Sequence, residues 1–138
     1  VVQLHGREAP AAADLLKREG LRVVKALFDG RPPGFEEADR YAVDGFLLEC
    51  GRGRLPGGNA MQWNWSRAAG FEETGPFVLA GGLTPANVGE AVRQSCPDAV
   101  DVSSGVEDRP GEKNIEKIRA FLQAVARSKI QRTPRRIF

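Results

Sequence analysis

The chain has 138 residues, a hydrophobic fraction of 41%, a charged fraction of 28% and a formal net charge of +2. This is the length of one domain and the composition of a folded globular chain; the charge is too small to imply a nucleic-acid partner and mildly favours anionic ligands. No apolar run approaches the roughly 18 residues of a membrane span, so no membrane contact is expected.

The opening residues carry no signal-peptide pattern. Cys50 and Cys96 are too few for a disulfide framework, so a reducing cytoplasm is the expected location. The chain begins at Val1 inside a strand-like run, and its one methionine is Met61. It therefore reads as a piece of a longer polypeptide.

Residues 1–4 read as a buried strand. Residues 10–18 read as a helix with apolar Ala11, Leu15 and Leu16, stopped at Gly20. Residues 21–27 form the next strand, and the Gly-Pro-rich stretch 29–34 is loop. A short helix over 35–41 and a strand over 43–49 follow. Residues 50–62 form a long loop rich in glycine and basic residues. A short helix over 64–69 is packed down by Trp63 and Trp65. After a strand over 77–80, Thr84 as N-cap and Pro85 as the first helical residue open a helix to about Ser95. Residues 99–102 form the last strand. Beyond a Pro-Gly loop, residues 115–126 predict an amphipathic helix with Ile115, Ile118, Phe121, Leu122 and Val125 on one face. The basic tail, residues 127–138, reads as a solvated helix end and a frayed terminus, without the aromatic interleaving that nucleic-acid binding favours.

The strand starts are spaced as in successive βα units, whose right-handed crossovers give a parallel sheet. Residues 1–126 thus predict part of a (β/α)8 barrel, an α/β fold, with about five of the eight strands. Each strand stops at polar or glycine-rich residues: His5-Gly6, Glu49, Gly81-Gly82 and Ser103-Ser104-Gly105. In a parallel sheet these endings meet on one rim. The two glycine-bearing turns suit an anion, because backbone N–H groups can approach it closely, and phosphate binding is the expectation. Glu49 ends an apolar strand, where desolvation would raise its pKa and suit it to general-acid work; an ordinary solvated carboxylate is the alternative. His5 reads as packed or functional, and no metal-ligand cluster accompanies it. Asp101 shares strand parity with Ser103 and needs a partner or a ligand. Cys50 and Cys96 should lie at opposite ends of the barrel, too far apart to bond.

These residues resemble a known family. Gln3-Leu4-His5-Gly6, Asp44-Gly45-Phe46-Leu47-Leu48-Glu49, Gly57-Gly58-Asn59-Ala60 with Trp65, residues 81–88, and residues 100–107 with Pro110, Gly111 and Lys113 are similar to phosphoribosylanthranilate isomerase of tryptophan biosynthesis. The resemblance implies a TIM barrel and an Amadori rearrangement without metal or cofactor. Phosphoribosylanthranilate would become 1-(o-carboxyphenylamino)-1-deoxyribulose 5-phosphate. By position, Glu49 takes the place of the general acid. Gly58, Asn59, Gly81, Gly82, Ser103, Ser104 and Gly105 take the phosphate-site places. His5 and Asp101 fall at polar substrate-site positions.

The chain departs from the family pattern at three points. Glu49 stands where the family has aspartate, and Ala60 stands where it usually has glycine. Strands one to three, with the cysteine base after strand one, are missing. The open edges at residues 1–4 and 99–102 therefore predict a complementing amino-terminal segment. A degenerate barrel that binds sugar phosphates without turnover is the competing expectation.

Overall fold

The computed structural model describes residues 1–52, 61–130 and 132–138. Five parallel strands pair in chain order: β1 (Val2–Leu4), β2 (Val23–Asp29), β3 (Gly45–Cys50), β4 (Phe77–Leu79) and β5 (Ala99–Val100). Helix α1 (Pro10–Arg18) connects β1 to β2, α2 (Val88–Ser95) connects β4 to β5, and α3 (Ile115–Arg127) follows β5. Short 3₁₀ turns at Phe35–Arg40, Trp65–Ala68 and Phe71–Glu73 stand in the other two connections. This is the βα repeat of a (β/α)8 barrel, with five of its strands present. Among the described residues no helix is long and apolar enough to cross a membrane.

Both faces of the central strands β2, β3 and β4 are buried, which is why they read as nearly continuous apolar runs. On the concave face, Val24, Ala26 and Phe28 of β2 pack with Leu47, Val78 and Ala80. On the convex face, Leu27, Phe46, Leu48, Phe77 and Leu79 meet the helical layer through Trp65, Phe71, Val88, Val92 and Phe121. Each such large side chain contributes about 1.5–3 kcal/mol when fully buried.

Several elements differ from the sequence expectation. β2 starts two residues later and runs on to Asp29, because Phe28 and Asp29 still pair with Glu49 and Cys50; the chain turns only at Gly30, where φ is +89°. α2 begins at Val88 with Asn87 as its cap, not Thr84. The Thr84 N–H donates to Asn87 Oδ1 (2.7 Å), and the Asn87 amide donates to the Gly82 carbonyl (2.9 Å). Asn87 therefore holds the glycine turn. In α3, Phe121 is buried, but Ile115 and Leu122 are 58% and 61% exposed. The core takes the stripe of Ile118, Phe121 and Val125 instead. The Pro-Gly stretch is a hairpin, β6 (Glu107–Arg109) with β7 (Glu112–Lys113), turned at Gly111.

The tail differs most. It crosses the end of the barrel where the strands begin. Arg132 donates to Asp98 Oδ1 (2.6 Å) and to the Cys96 carbonyl (2.7 Å). Arg135 pairs with Asp98 Oδ2 (3.0 Å) and donates to the Glu72 and Gly75 carbonyls. Ile137 is 4% exposed and joins the concave cluster, close over Gly45. The two arginines are not simply solvated: the buried Asp98 carboxylate, which also accepts from the Phe77 N–H, supplies a counter-charge that offsets their desolvation.

Burial would raise the Asp98 pKa. The hydrogen bonds from Arg132, Arg135 and the backbone outweigh it and hold the carboxyl well below the usual carboxylate range. A depressed folded-state pKa gives stability that is present above the unfolded value and lost as pH falls. Asp98→Asn should therefore cost about 3 kcal/mol at neutral pH. It should also flatten the loss of stability on acidification below about pH 4. Urea titrations of both proteins at neutral and acid pH measure both effects.

Candidate functional site

The hydrogen-bond register carries the strand endings to one rim. Phe28 lies opposite Glu49 in the β2–β3 ladder, and Leu79 lies opposite Val100 in the β4–β5 ladder. His5 follows β1, and its Nε2 stands 3.2 Å from Glu49 Oε2. The Gln3 side-chain amide meets His5 Nδ1 at 3.0 Å. If that amide donates, Nε2 is the nitrogen left to carry a proton towards Glu49. The imidazole also stands edge-on to Phe28, with ring centroids 5.4 Å apart.

Glu49 is 8% exposed, in keeping with a carboxylate recessed at the barrel mouth. Asp101 lies beyond β5 and remains open to solvent. Its carboxyl is nevertheless raised above its ordinary value, first by partial desolvation and then by the Glu49 charge, against the opposing pull of His5 and Lys113. Partial desolvation and the neighbouring Glu49 charge thus make the Asp101 carboxyl hold its proton more readily than an ordinary aspartate.

Beside these groups lies a narrow cleft of about 30 Å³, lined by Gly81, Gly82, Leu83, Asp101, Val102, Ser103, Ser104 and Gly105. Two glycines make it possible. Gly82 has φ +70°, and a methyl group there would stand 2.6 Å from the Gln62 backbone nitrogen. At Gly105 a methyl group would stand 1.8 Å from the Leu83 carbonyl oxygen. A side chain at Gly105 would force the two turns apart, and one at Gly82 would drive the first turn off the Met61–Gln62 backbone. The indoles of Trp63 and Trp65 donate to the Ala80 and Gly81 carbonyls (2.9 and 3.4 Å), which fixes them as packing residues for the first turn. Lys113 of β7 donates to both the carbonyl and the hydroxyl of Ser103 (3.0 Å each), so the hairpin holds the second turn.

The structure thus brings His5, Glu49, Asp101, Gly81, Gly82, Ser103, Ser104 and Gly105 to one rim. Gly58 and Asn59 lie outside the described residues. Cys50 is buried at the end of β3, and both it and Cys96 are free thiols. Sequence reasoning gave no role to four supporting residues. Asn87 and Lys113 are described above. The other two are Lys25, completely buried, and Glu8, its ion-pair partner at 2.9 Å. Lys25 within an apolar strand was the available signal, because a buried ammonium requires partners.

Comparison with known proteins identifies the family. The family model for N-(5'-phosphoribosyl)anthranilate (PRA) isomerase matches residues 1–124. N-(5'-phosphoribosyl)anthranilate isomerase of Desulfatibacillum aliphaticivorans is 44% identical over 138 residues, an alignment that covers 100% of this chain and 63% of that protein. The phosphoribosyl anthranilate isomerase structure from Thermus thermophilus is 35% identical with a TM-score of 0.76, covering 90% of this chain and 59% of that one. A phosphoribosyl anthranilate isomerase in complex with reduced 1-(o-carboxyphenylamino)-1-deoxyribulose 5-phosphate is 31% identical with a TM-score of 0.72, covering 91% and 58%. The chain therefore spans about three-fifths of the length of these relatives. With its strand order, its rim and a family match over nearly all of its length, the chain belongs to the N-(5'-phosphoribosyl)anthranilate isomerase family.

Proposed function

We propose that this chain contributes the phosphate grip and the general acid of a phosphoribosylanthranilate isomerase. The observation that carries the reading is the recessed Glu49 carboxylate on the same rim as the cleft between the two glycine turns. The substrate is a phosphorylated sugar joined to anthranilate, in line with the reduced product analogue bound by one of the similar structures. Its phosphate sits against Gly81, Gly82, Ser103, Ser104 and Gly105, where backbone N–H groups can reach it. Gly58 and Asn59 complete the grip in this reading.

Glu49 then gives its proton to the furanose ring oxygen. The C1–O bond breaks as the anilino nitrogen lone pair moves in, leaving an iminium. Loss of the C2 proton to a base gives an enolamine, which tautomerises to the aminoketone. Asp101 and His5 orient the sugar hydroxyls and the acid. The base belongs to an amino-terminal barrel segment that supplies the remaining strands, the complementing partner of this chain. The setting is the cytoplasm, and the reaction needs no metal or cofactor.

A second reading is a degenerate barrel that binds sugar phosphates without turnover. It is favoured by Glu49 standing where the family has aspartate, since misplacement of a catalytic group by about 1 Å can cost roughly 100-fold in rate.

Assay with an added amino-terminal barrel segment separates the two. The isomerase reading expects turnover that appears only with the segment and falls by at least about 100-fold in Glu49→Gln. Phosphosugar binding without turnover, whatever segment is added, supports the second reading. The grip is tested by calorimetry with a phosphosugar: inorganic phosphate should compete, and Gly105→Ala should weaken binding by about tenfold or more, a loss of roughly one charge-assisted hydrogen bond. Undiminished affinity in Gly105→Ala would remove the cleft from the reading.

A further inference from the structure

Behind the rim lies a second polar cluster that the proposed chemistry does not use. Lys25 has no exposed side-chain surface. Its ammonium donates to the Gly6 carbonyl (2.7 Å), to Glu8 Oε2 (2.9 Å) and to the Leu4 carbonyl (3.4 Å). The Glu8 carboxylate in turn accepts the Gly6 N–H on both oxygens (2.9 and 3.0 Å). Tyr41 closes the cluster: its hydroxyl donates to the Glu8 carbonyl (3.2 Å), and its ring lies 5.4 Å from the ammonium. Every contact thus ends on the turn that leaves β1, and His5 sits between its two anchored carbonyls, Leu4 and Gly6. Burying an ammonium is costly unless its hydrogens are all satisfied, and here they are satisfied by this turn.

We propose that Lys25 and Glu8 are positioning residues: their buried ion pair fixes the turn that carries His5 and thereby sets the contact between His5 and Glu49. The inference rests on the reading of His5 and Glu49 as site residues and adds the groups that aim them. The imidazole is surrounded by Gln3 from β1, Glu49 from β3, Asp101 beyond β5 and the Phe28 ring from β2, on which the Arg31 guanidinium also stacks at 3.6 Å. Lys25 and Glu8 act on it through the backbone.

His5 is the only histidine, so its ring signals in a proton NMR titration are unambiguous. Glu49→Gln removes the facing negative charge and should lower the imidazole midpoint. Glu8→Gln and Lys25→Met should each lower it as well, by about half a pH unit or more, because the His5–Glu49 contact loosens in both. Lys25→Arg, which keeps the charge and the donors, should stay near the wild-type value. Charge acting at a distance predicts otherwise: loss of Glu8 would lower the midpoint and loss of Lys25 would raise it. Opposite shifts, or wild-type titration in folded Glu8→Gln, would overturn the proposal. If Lys25→Met does not fold, the contact between the imidazole and the Phe28 ring in Glu8→Gln decides: a nuclear Overhauser effect of wild-type strength counts against positioning, and its loss supports it. An unchanged midpoint in Glu49→Gln would mean that the His5–Glu49 contact itself is absent, which overturns the site reading together with the inference.

Discussion

The parallel register of the sheet is the constraint on which the rest of the molecule depends. Parallel strands must all start at one end and stop at the other. Residues as far apart in sequence as His5, Glu49, Gly81 and Ser103 are therefore delivered to one rim by the sheet. The apolar residues on both faces make the register hard to shift, since a slip by one residue would exchange the concave and convex sets. The chemistry at the rim is placed by burial elsewhere. Val24, Leu47 and Val78, buried together on the concave face, hold the strands whose ends form the rim.

The same constraint sorts the chain's charges into two kinds. At the end where the strands begin, Asp98, Arg132 and Arg135 are matched and closely hydrogen-bonded, and the tail they hold lays Ile137 against the concave face. That clasp contributes to stability. At the other end, Glu49 and Asp101 share a field with no Lys or Arg in direct ion contact with either among the described residues, and only His5 stands close to Glu49. There the Asp101 carboxyl is raised above its ordinary value by desolvation and by the Glu49 charge, the reverse of the depressed Asp98. The two ends of one short barrel segment thus show opposite electrostatic solutions.

Much of this was legible in the sequence. Pro10 at a first helical position and Gly20 beyond the end placed α1 where it lies, and the glycine pairs and serines after apolar runs marked the rim. Most of what escaped depended on a distant partner. The tail arginines read as solvated because their acid, Asp98, lies 34 residues before Arg132. The Glu8 partner of Lys25 is 17 residues away across a helix and a turn. Thr84 has the residue type of an N-cap, yet Asn87 takes that place because the Gly82 carbonyl and the Thr84 N–H both need a side-chain amide. Local preference was overruled where the backbone had unpaired groups to satisfy.

The glutamate at position 49 follows the same logic. Its extra methylene extends the carboxylate further from β3 than an aspartate would reach, and its oxygen meets His5 on the neighbouring side of the rim. The His5 turn is itself held from behind by Lys25 and Glu8. A longer acid tolerates more conformations, which in the proposed reaction is a disadvantage for a group that has to meet one ring oxygen. A histidine on a turn held by Lys25 and Glu8 narrows that freedom. The substitution of glutamate for aspartate and the bracing of the β1 turn are therefore one problem, in which reach gained by the side chain has to be matched by stiffness in what receives it.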